Sequence, residues 1–303
     1  MQVLKRKMKN IVIAAGYATR LGELTKNFPK PLLKIGENTI LGRMLDDIDK
    51  IDAIDEHIII TNHKFARIFE EWVEVNSVNP LRGEISQNLN NFQTKSALKE
   101  NLHVKKPITI VDDGTETNET RLGAVRDLIY AINGGVIPGD KEFSIVRSAL
   151  PLGSSKNSQL SIINDDLLVV AADNLLFFSF QEFVDFAKAK GTSCIMCHEQ
   201  PSIEKLQRTG VVELDANHKV LGMEEKPQVP KSHWAVPPFY IYLKKDLDLV
   251  RHSVENGCGK DAPGNLAHYM VEHTTMHAWP MSAGRFDIGS LDTYYEAVEK
   301  YGK

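Results

Sequence analysis

Short apolar runs of strand length alternate with amphipathic stretches along the chain as far as residue 198. The apolar runs predict strands at 10–15, 57–61, 107–111, 167–172 and 193–198. The amphipathic stretches predict helices at 40–51, 63–75, 119–132 and 178–189. Such alternation is typical of βαβ units, in which consecutive strands are parallel and helices cover both faces of the sheet. We therefore predict an α/β fold with a doubly wound, mostly parallel sheet.

The pattern changes after Gly191, where the apolar runs become shorter and turn residues more frequent. Short strands are predicted at 211–214, 220–223 and 234–242, and two closing helices at about 266–272 and 291–301. This indicates a smaller mixed sheet appended to the first. We expect one domain over 1–303, with a core at about 8–190 and the appended sheet and closing helices at about 191–303. The polar segment 139–161 interrupts a short connection and is expected to lie at the surface.

Composition excludes several classes of protein. The chain has 303 residues, of which 42% are hydrophobic, so it can bury a large core. Lys and Arg number 36 against 40 Asp and Glu, without a long run of like charge, which argues against a nucleic-acid partner. The apolar run 11–15 is too short for a signal-peptide core or a membrane span, so we expect a cytoplasmic protein that does not bind membranes.

The cysteines and histidines offer no catalytic arrangement. Cys194 and Cys197 form a C-x-x-C, which could indicate a redox pair or half of a metal site. No second cysteine pair completes a zinc site, and the segment around them is predicted to be a buried strand. The ten histidines form no recognisable catalytic motif and are interpreted as structural.

The densest signal follows the first predicted strand, at 14–33. Ala14, Ala15 and Gly16 are small enough to let backbone N–H groups approach an anion. Polar and cationic side chains follow at Thr19, Arg20, Lys26 and Lys30. The segment is neither a Walker A loop nor a dinucleotide fingerprint, because the required lysine and second glycine are missing. It predicts a triphosphate cradle; the alternative is a βα turn with scattered surface cations.

A second signal is an acid at the end of an apolar strand, Asp173, followed by Asn174. Residues just past the carboxyl end of a central parallel strand line the ligand crevice. Magnesium binds one or two carboxylates plus phosphate oxygens, so a second acid should converge on the site, and Asp287 is the best candidate. Taken by itself, Asp-Asn after a strand is more often a turn or a helix cap.

A third signal is Gly210 in 209–213 followed by Glu225-Lys226-Pro227. A lysine fixed before a proline is a compact charge suited to a monophosphate, and the adjacent carboxylate could accept sugar hydroxyls. The alternative is an exposed, salt-bridged turn.

In order and spacing, these motifs resemble the glucose-1-phosphate thymidylyltransferase-like sugar nucleotidyltransferases, at intervals from about Lys9 to Ala297. The resemblance implies a nucleotide-binding α/β core with an appended sugar-binding sheet and a requirement for Mg²⁺. It also implies transfer of a nucleotidyl group from a nucleoside triphosphate, with dTTP or UTP favoured, to a sugar 1-phosphate such as glucose 1-phosphate. The products would be a nucleotide sugar and pyrophosphate. Members of the family are often oligomers, so a homo-oligomer is possible.

The resemblance also implies a role for individual residues. The catalytic residues would be Arg20 and Lys30, and the metal ligands Asp173 and Asp287. The nucleotide-binding residues would be Ala14, Ala15, Gly16, Thr19 and Gly123, with the base near 113–115 and 121–123. The sugar-phosphate-binding residues would be Asn174, Gly210, Glu225 and Lys226.

Two departures from the family pattern concern the sugar more than the reaction. Pro237 and Pro238 stand where a Thr-Gly or similar pair is common, and Arg285 stands two residues before Asp287, where an aromatic is usual. Two other functions stay open. One is a non-catalytic regulatory subunit that binds nucleotide sugars, although such proteins typically lose the cationic loop or a metal acid. The other is a cytidylyltransferase acting on a small alcohol phosphate.

Overall fold

The computed structural model describes residues 7–77, 98–100, 104–138 and 161–302. Its strands are β1 (Met8–Ile13), β2 (Lys34–Ile35), β3 (Asn38–Thr39), β4 (Ile54–Thr61), β5 (Ile108–Asp112), β6 (Asp166–Ala171), β7 (Asn174–Leu176), β8 (Ser193–Glu199), β9 (Gly210–Leu214), β10 (Val220–Glu225), β11 (Trp234–Val236), β12 (Phe239–Tyr242), β13 (Met276–Pro280) and β14 (Arg285–Asp287). Its α-helices are α1 (Glu23–Lys26), α2 (Ile40–Ile48), α3 (His63–Asn76), α4 (Ala124–Ile132), α5 (Phe180–Lys190), α6 (Ile203–Leu206), α7 (Leu247–His252), α8 (Pro263–His273) and α9 (Leu291–Tyr301).

The chain divides into two compact units, each assembled from separate stretches of sequence. The first unit contains the described residues of Met1–Met8, Leu122–Val170 and Phe180–Ala283. The second contains those of Lys9–Arg121, Ala171–Ser179 and Gly284–Lys303. The expected single domain with a core ending near residue 190 stays a prediction.

In the first unit, β12 is antiparallel to both β6 and β8, and β13 is parallel to β8. It follows that β6, β8 and β13 run in the same direction. On the other side, β11, β9 and β10 extend the sheet by antiparallel pairing. The predicted smaller mixed sheet corresponds to this extension. Strand β8 carries Cys194 and Cys197, both fully buried, and burial raises the pKa of each thiol to about 12. The prediction of a buried strand at this C-x-x-C is confirmed.

In the second unit, β4 lies between β1 and β5 and is parallel to β5. Helices α2 and α3 of this unit are capped by side chains of the type that favours helix starts. The Thr39 hydroxyl accepts from the Gly42 N–H at the start of α2, and the Asn62 side chain accepts from the Phe65 N–H at the start of α3. The last helix, α9, begins with a capping box between Ser290 and Thr293.

A separate two-stranded sheet completes the second unit, in which β14 pairs antiparallel with β7. Alternation of side chains puts Leu175 and Phe286 on one face, where both belong to an apolar cluster that includes Ile288 and Ala297. The opposite face carries Asn174, Arg285 and Asp287, so the fold of this ribbon presents the polar residues together.

These elements confirm the α/β class with a mostly parallel sheet and an appended smaller mixed sheet. Several predicted boundaries are shifted by a few residues, such as the first strand, predicted at 10–15 and observed at Met8–Ile13, and two elements differ more. The helix predicted from 119 begins at Ala124, because Gly123 adopts φ +92 and ends the preceding segment. The strand predicted at 234–242 is split into β11 and β12, since prolines 237 and 238 cannot donate ladder hydrogen bonds. Residues 139–160 of the predicted surface segment lie outside the described residues. Within the described ranges, no helix combines the length and the apolar character needed to cross a membrane.

Candidate functional site

The loop after β1 is anchored at its start and open further on. The Ala14 N–H donates to the Ile60 carbonyl at 2.9 Å, and the Asn62 side chain donates to the Ala15 carbonyl at 2.9 Å. Both alanines are buried, whereas Gly16 is exposed, and a Cβ on Gly16 would meet no heavy atom within 4 Å. Thus β4 holds the loop in place and leaves space over Gly16 for a ligand.

Beyond Gly16 the loop turns sharply through a strained alanine. Ala18 has φ 48 and ψ 39, a left-handed conformation that costs energy for any residue with a Cβ. Its carbonyl accepts from the Thr25 hydroxyl at 2.9 Å and from the Leu21 N–H at 3.0 Å. The turn brings Thr19, predicted to bind the nucleotide, and Arg20, predicted to be catalytic, to the surface, where both are exposed.

Lys30 and Asp173, which are 143 residues apart in sequence, form an ion pair in the second unit. Lys30 begins a 3-10 helix, Lys30–Leu32, and only 8% of its surface is exposed. Its Nζ lies 3.2 Å from Oδ2 of Asp173, whose side chain is 38% exposed. The structure therefore brings together the lysine predicted to be catalytic and an acid predicted to bind metal.

Asp287, the second predicted metal ligand, lies in the same cluster. It is opposite Asn174 in the β7–β14 ribbon, and the Ile288 N–H donates to the Asp173 carbonyl at 3.0 Å. Desolvation raises the pKa of the Asp287 carboxyl, although the residue keeps solvent contact, and the charge of Asp173 raises it further. The charges of Arg285, Lys30 and Arg20 act in the opposite direction.

These two carboxylates suit a hard divalent cation. Oxygen ligands from one or two acids, completed by phosphate oxygens, are the usual protein ligands of Mg²⁺. A divalent charge would relieve the repulsion between Asp173 and Asp287 that raises the pKa of Asp287. Within the described residues, no group of three or more His, Cys, Asp and Glu is arranged to hold a metal. Two carboxylates leave the other positions around such a cation to water or phosphate oxygens.

Asn174 is held by hydrogen bonds at both ends of its side-chain amide. Its Nδ2 donates to Oδ1 of Asp173 at 2.6 Å, and its Oδ1 accepts from Nη1 of Arg285. The residue is 2% exposed. The contact of Asn174 with a sugar phosphate, implied by the resemblance, stays a prediction. Sequence reasoning did not include Arg285 among the site residues, although it had noted the unusual residue at that position.

In the first unit, the remaining predicted sugar-phosphate residues come together. Gly210 in β9 is paired with Glu225 in β10, and a Cβ on Gly210 would lie 3.1 Å from Oε2 of Glu225. Burial raises the pKa of the Glu225 carboxyl, and the charge of Lys226 opposes this shift. Lys226 has φ 52, and its Nζ lies 3.7 Å from Oε1 of Glu225. Gly264 also approaches Glu225 so closely that a Cβ there would clash with the carboxylate.

The structure gives Gly123 a packing role. A Cβ on Gly123 would lie 2.6 Å from the Lys260 carbonyl oxygen, and the neighbouring Ala124 N–H donates to the Asp261 carbonyl at 3.1 Å. Contact between Gly123 and a nucleotide base stays a prediction. The other predicted base region, 113–115, lies beside the loop after β1, because the Tyr17 hydroxyl is 3.2 Å from Oγ1 of Thr115.

Comparisons with known proteins agree with this architecture. The chain resembles the crystal structures of UDP-glucose pyrophosphorylase with UDP-glucose and of the apo protein. The TM-scores are 0.66 and 0.65 at 17% identity, and each alignment covers 97% of this chain and 98% of the other. At this identity the likeness establishes the fold.

Sequence relatives match over shorter segments. A glucose-1-phosphate thymidylyltransferase of Mycolicibacterium smegmatis is 45% identical over 92 residues, which cover 30% of this chain and 32% of the relative. A glucose-1-phosphate adenylyltransferase of Fervidobacterium nodosum is 26% identical over 133 residues, which cover 43% of this chain and 32% of the relative. A thymidylyltransferase of Neisseria meningitidis is 27% identical, with 45% and 47% covered. The matched part is thus less than half of each relative.

The family model for nucleotidyl transferases matches residues 9–106 and 153–303, which is more than half of the chain. The matched residues contain the loop after β1, the Lys30–Asp173 ion pair, Asp287 and the Gly210–Glu225 pair. The chain therefore belongs to the nucleotidyl transferase family.

Proposed function

We propose that this protein transfers a nucleotidyl group from a nucleoside triphosphate to a sugar 1-phosphate and releases pyrophosphate. The observation that carries the proposal is the Lys30–Asp173 ion pair, with Asp287 within electrostatic reach, in the unit that also holds the open loop after β1. Cations and a pair of acids beside an exposed glycine loop are the groups that phosphoryl-transfer chemistry requires. The names of the matched relatives, adenylyl- and thymidylyltransferases of glucose 1-phosphate, support the same reaction.

The mechanism needs little side-chain acid–base chemistry. A phosphate monoester is already anionic near neutral pH, so its oxygen can attack the α-phosphorus in line while pyrophosphate leaves. The difficulty is to bring two anions together and to stabilise charge on the leaving group. Lys30 and Arg20 would supply positive charge for that purpose, and the exposed Gly16 and Thr19 of the loop after β1 would contact the triphosphate. When bound, Mg²⁺ would be held by Asp173 and Asp287 and would neutralise phosphate charge.

For the substrates, we favour dTTP or UTP with glucose 1-phosphate. Thymidylyltransferases are among the sequence relatives, and the matched folds include a UDP-glucose pyrophosphorylase, whereas the adenylyltransferase relatives favour ATP. The sugar phosphate would bind at Gly210, Glu225 and Lys226. The side chain of Lys226 is 57% exposed and can reach an anion, and the Glu225 carboxylate can accept hydrogen bonds from sugar hydroxyls.

Pyrophosphate release with Mg²⁺ tests the proposal, measured over a grid of nucleoside triphosphates against glucose 1-phosphate, its N-acetylamino analogue and phosphocholine. The test variant is Asp173→Asn, which we expect to abolish pyrophosphate release. The matched control is Asp185→Asn, an exposed acid on α5 that pairs with Lys188 and should leave release unchanged. Release from one triphosphate and one sugar phosphate supports the proposal. Release with phosphocholine only would identify the alcohol-phosphate alternative, and nucleotide binding without release would identify a non-catalytic subunit.

A further inference from the structure

Arg285 is a charged residue in the polar face of the β7–β14 ribbon that the proposed mechanism does not use. It is half-buried, and it lies on the same face as Asp287 two residues later. Antiparallel pairing puts Asp287 opposite Asn174 and Arg285 opposite Leu176, so the guanidinium reaches diagonally to Asn174. The positive charge of Arg285 acts on Asp287, and its guanidinium contacts Asn174.

The contacts form a continuous series from Arg285 to Lys30. Arg285 donates to Oδ1 of Asn174, Nδ2 of Asn174 donates to Oδ1 of Asp173, and Nζ of Lys30 donates to Oδ2 of Asp173. Each carboxylate oxygen of Asp173 therefore has one fixed donor. A carboxylate has about four lone-pair sites, so others are left to coordinate a cation.

The first contact in the series decides the direction of the second. A guanidinium has only donors, so it must face the oxygen of the Asn174 amide. The amide nitrogen is then directed at Asp173. Without Arg285, the Oδ1 of Asn174 would lose its donor, and the side chain could rotate away from Asp173. We propose that Arg285 is a positioning residue that, by orienting Asn174, holds the Asp173 carboxylate in the orientation that binds the divalent metal; this inference rests on the proposed function.

The test uses the whole chain with Arg285→Met, Arg285→Lys, Asn174→Ala and the double variant Arg285→Met/Asn174→Ala. The first readout is Mn²⁺ binding, followed by electron paramagnetic resonance without substrates. Removing an outer partner of a metal ligand typically weakens metal binding by about 10- to 100-fold. We expect that loss for Asn174→Ala, and a loss at the lower end of the range for Arg285→Met, which removes the partner of Asn174. Arg285→Lys should recover part of it, because lysine is also a pure donor.

The double variant separates positioning from a simple loss of charge. If Arg285 acts through Asn174, the double variant should bind Mn²⁺ no more weakly than Asn174→Ala. In turnover assays, excess Mg²⁺ should restore Arg285→Met, which would not happen if the substitution only damaged the fold. The matched control is Arg67→Met, an exposed arginine paired with Glu71 on α3, which should leave Mn²⁺ binding unchanged.

The outcomes distinguish this inference from the proposed function. Unchanged Mn²⁺ affinity in Arg285→Met, or fully additive losses in the double variant, would overturn the inference even if pyrophosphate release is normal. If the double variant loses no more Mn²⁺ affinity than Asn174→Ala, but the unmodified chain releases no pyrophosphate, the inference is supported and the proposed function is rejected. Absence of Mn²⁺ binding by the unmodified chain, both alone and with a nucleoside triphosphate added, would overturn both. If Arg285→Met fails to fold, Asn174→Ala and Arg285→Lys provide the same comparison.

Discussion

Replacing Lys30 by methionine should reduce turnover severely and stability little. Lys30 is buried, and its Nζ lies 3.2 Å from a carboxylate oxygen of Asp173. Coulomb's law gives about 5 kcal/mol for unit charges at this distance with an effective dielectric constant of about 20. A phosphate oxygen at a similar distance would gain a comparable amount, which solvent reduces to about 3–5 kcal/mol in the transition state. We therefore expect kcat to fall by about two to four orders of magnitude.

The effect on folding should be different, because methionine keeps most of the apolar stem of lysine. Asp173 loses its partner, but its side chain is 38% exposed, so its charge stays solvated and the free energy of unfolding should change by about 1 kcal/mol or less. Pyrophosphate release gives kcat, and urea unfolding gives stability. Lys50→Met, at an exposed lysine paired with Asp46, is the matched control. A kcat for Lys30→Met within about threefold of the unmodified chain would refute the role of Lys30.

Three further changes have expected results. Ala18→Gly should raise the free energy of unfolding by about 0.5–1 kcal/mol in urea titrations, because relief at φ 48 exceeds the entropy cost of glycine; a lower value would contradict the strain. Gly210→Ala should raise KM for the sugar phosphate and leave KM for the triphosphate unchanged, since the added Cβ would lie 2.7 Å from Cε of Met223 and crowd Glu225. Burial lowers the pKa of His57 in the folded chain. As pH falls below about 6.5, the unfolded chain therefore takes up a proton that folded His57 does not, and the free energy of unfolding decreases. His57→Gln should flatten the loss of unfolding free energy between about pH 7 and 5, and an unchanged slope would argue against it.

Strand β6, which leads to Asp173, was predictable from sequence because it is an uninterrupted apolar run. Strand β6 is buried along almost its whole length, and the acid that follows it is the first polar residue after the run. The strands β7 and β14 were not predicted. Each has three residues, and they pair across about 110 positions of sequence, so their formation depends on tertiary contacts that no local pattern encodes.

The residues of the candidate site were predictable from sequence, but the contacts between them were not. The rule that ligands bind beyond the carboxyl ends of parallel strands selected Asp173, and the mixture of small and cationic residues selected the loop after β1. That Lys30 pairs with Asp173 could not be predicted, because other cations of the same loop, including Arg20, were equally available. The interpretation of Gly123 as a base reader missed the packing against Lys260, since a close approach of two backbones leaves no mark in the sequence except the glycine itself.

The clusters of charged side chains in the two units differ, and each suits a different kind of anion. In the second unit, three cations, Arg20, Lys30 and Arg285, accompany two carboxylates, Asp173 and Asp287. This cluster is net positive before any divalent cation is added, and it becomes strongly positive with one, as a polyphosphate requires. In the first unit, the charges of Glu225 and Lys226 lie 3.7 Å apart and largely cancel, so that cluster offers a weaker field. Under the proposed function, this difference predicts that the triphosphate and the sugar phosphate are distinguished mainly by charge.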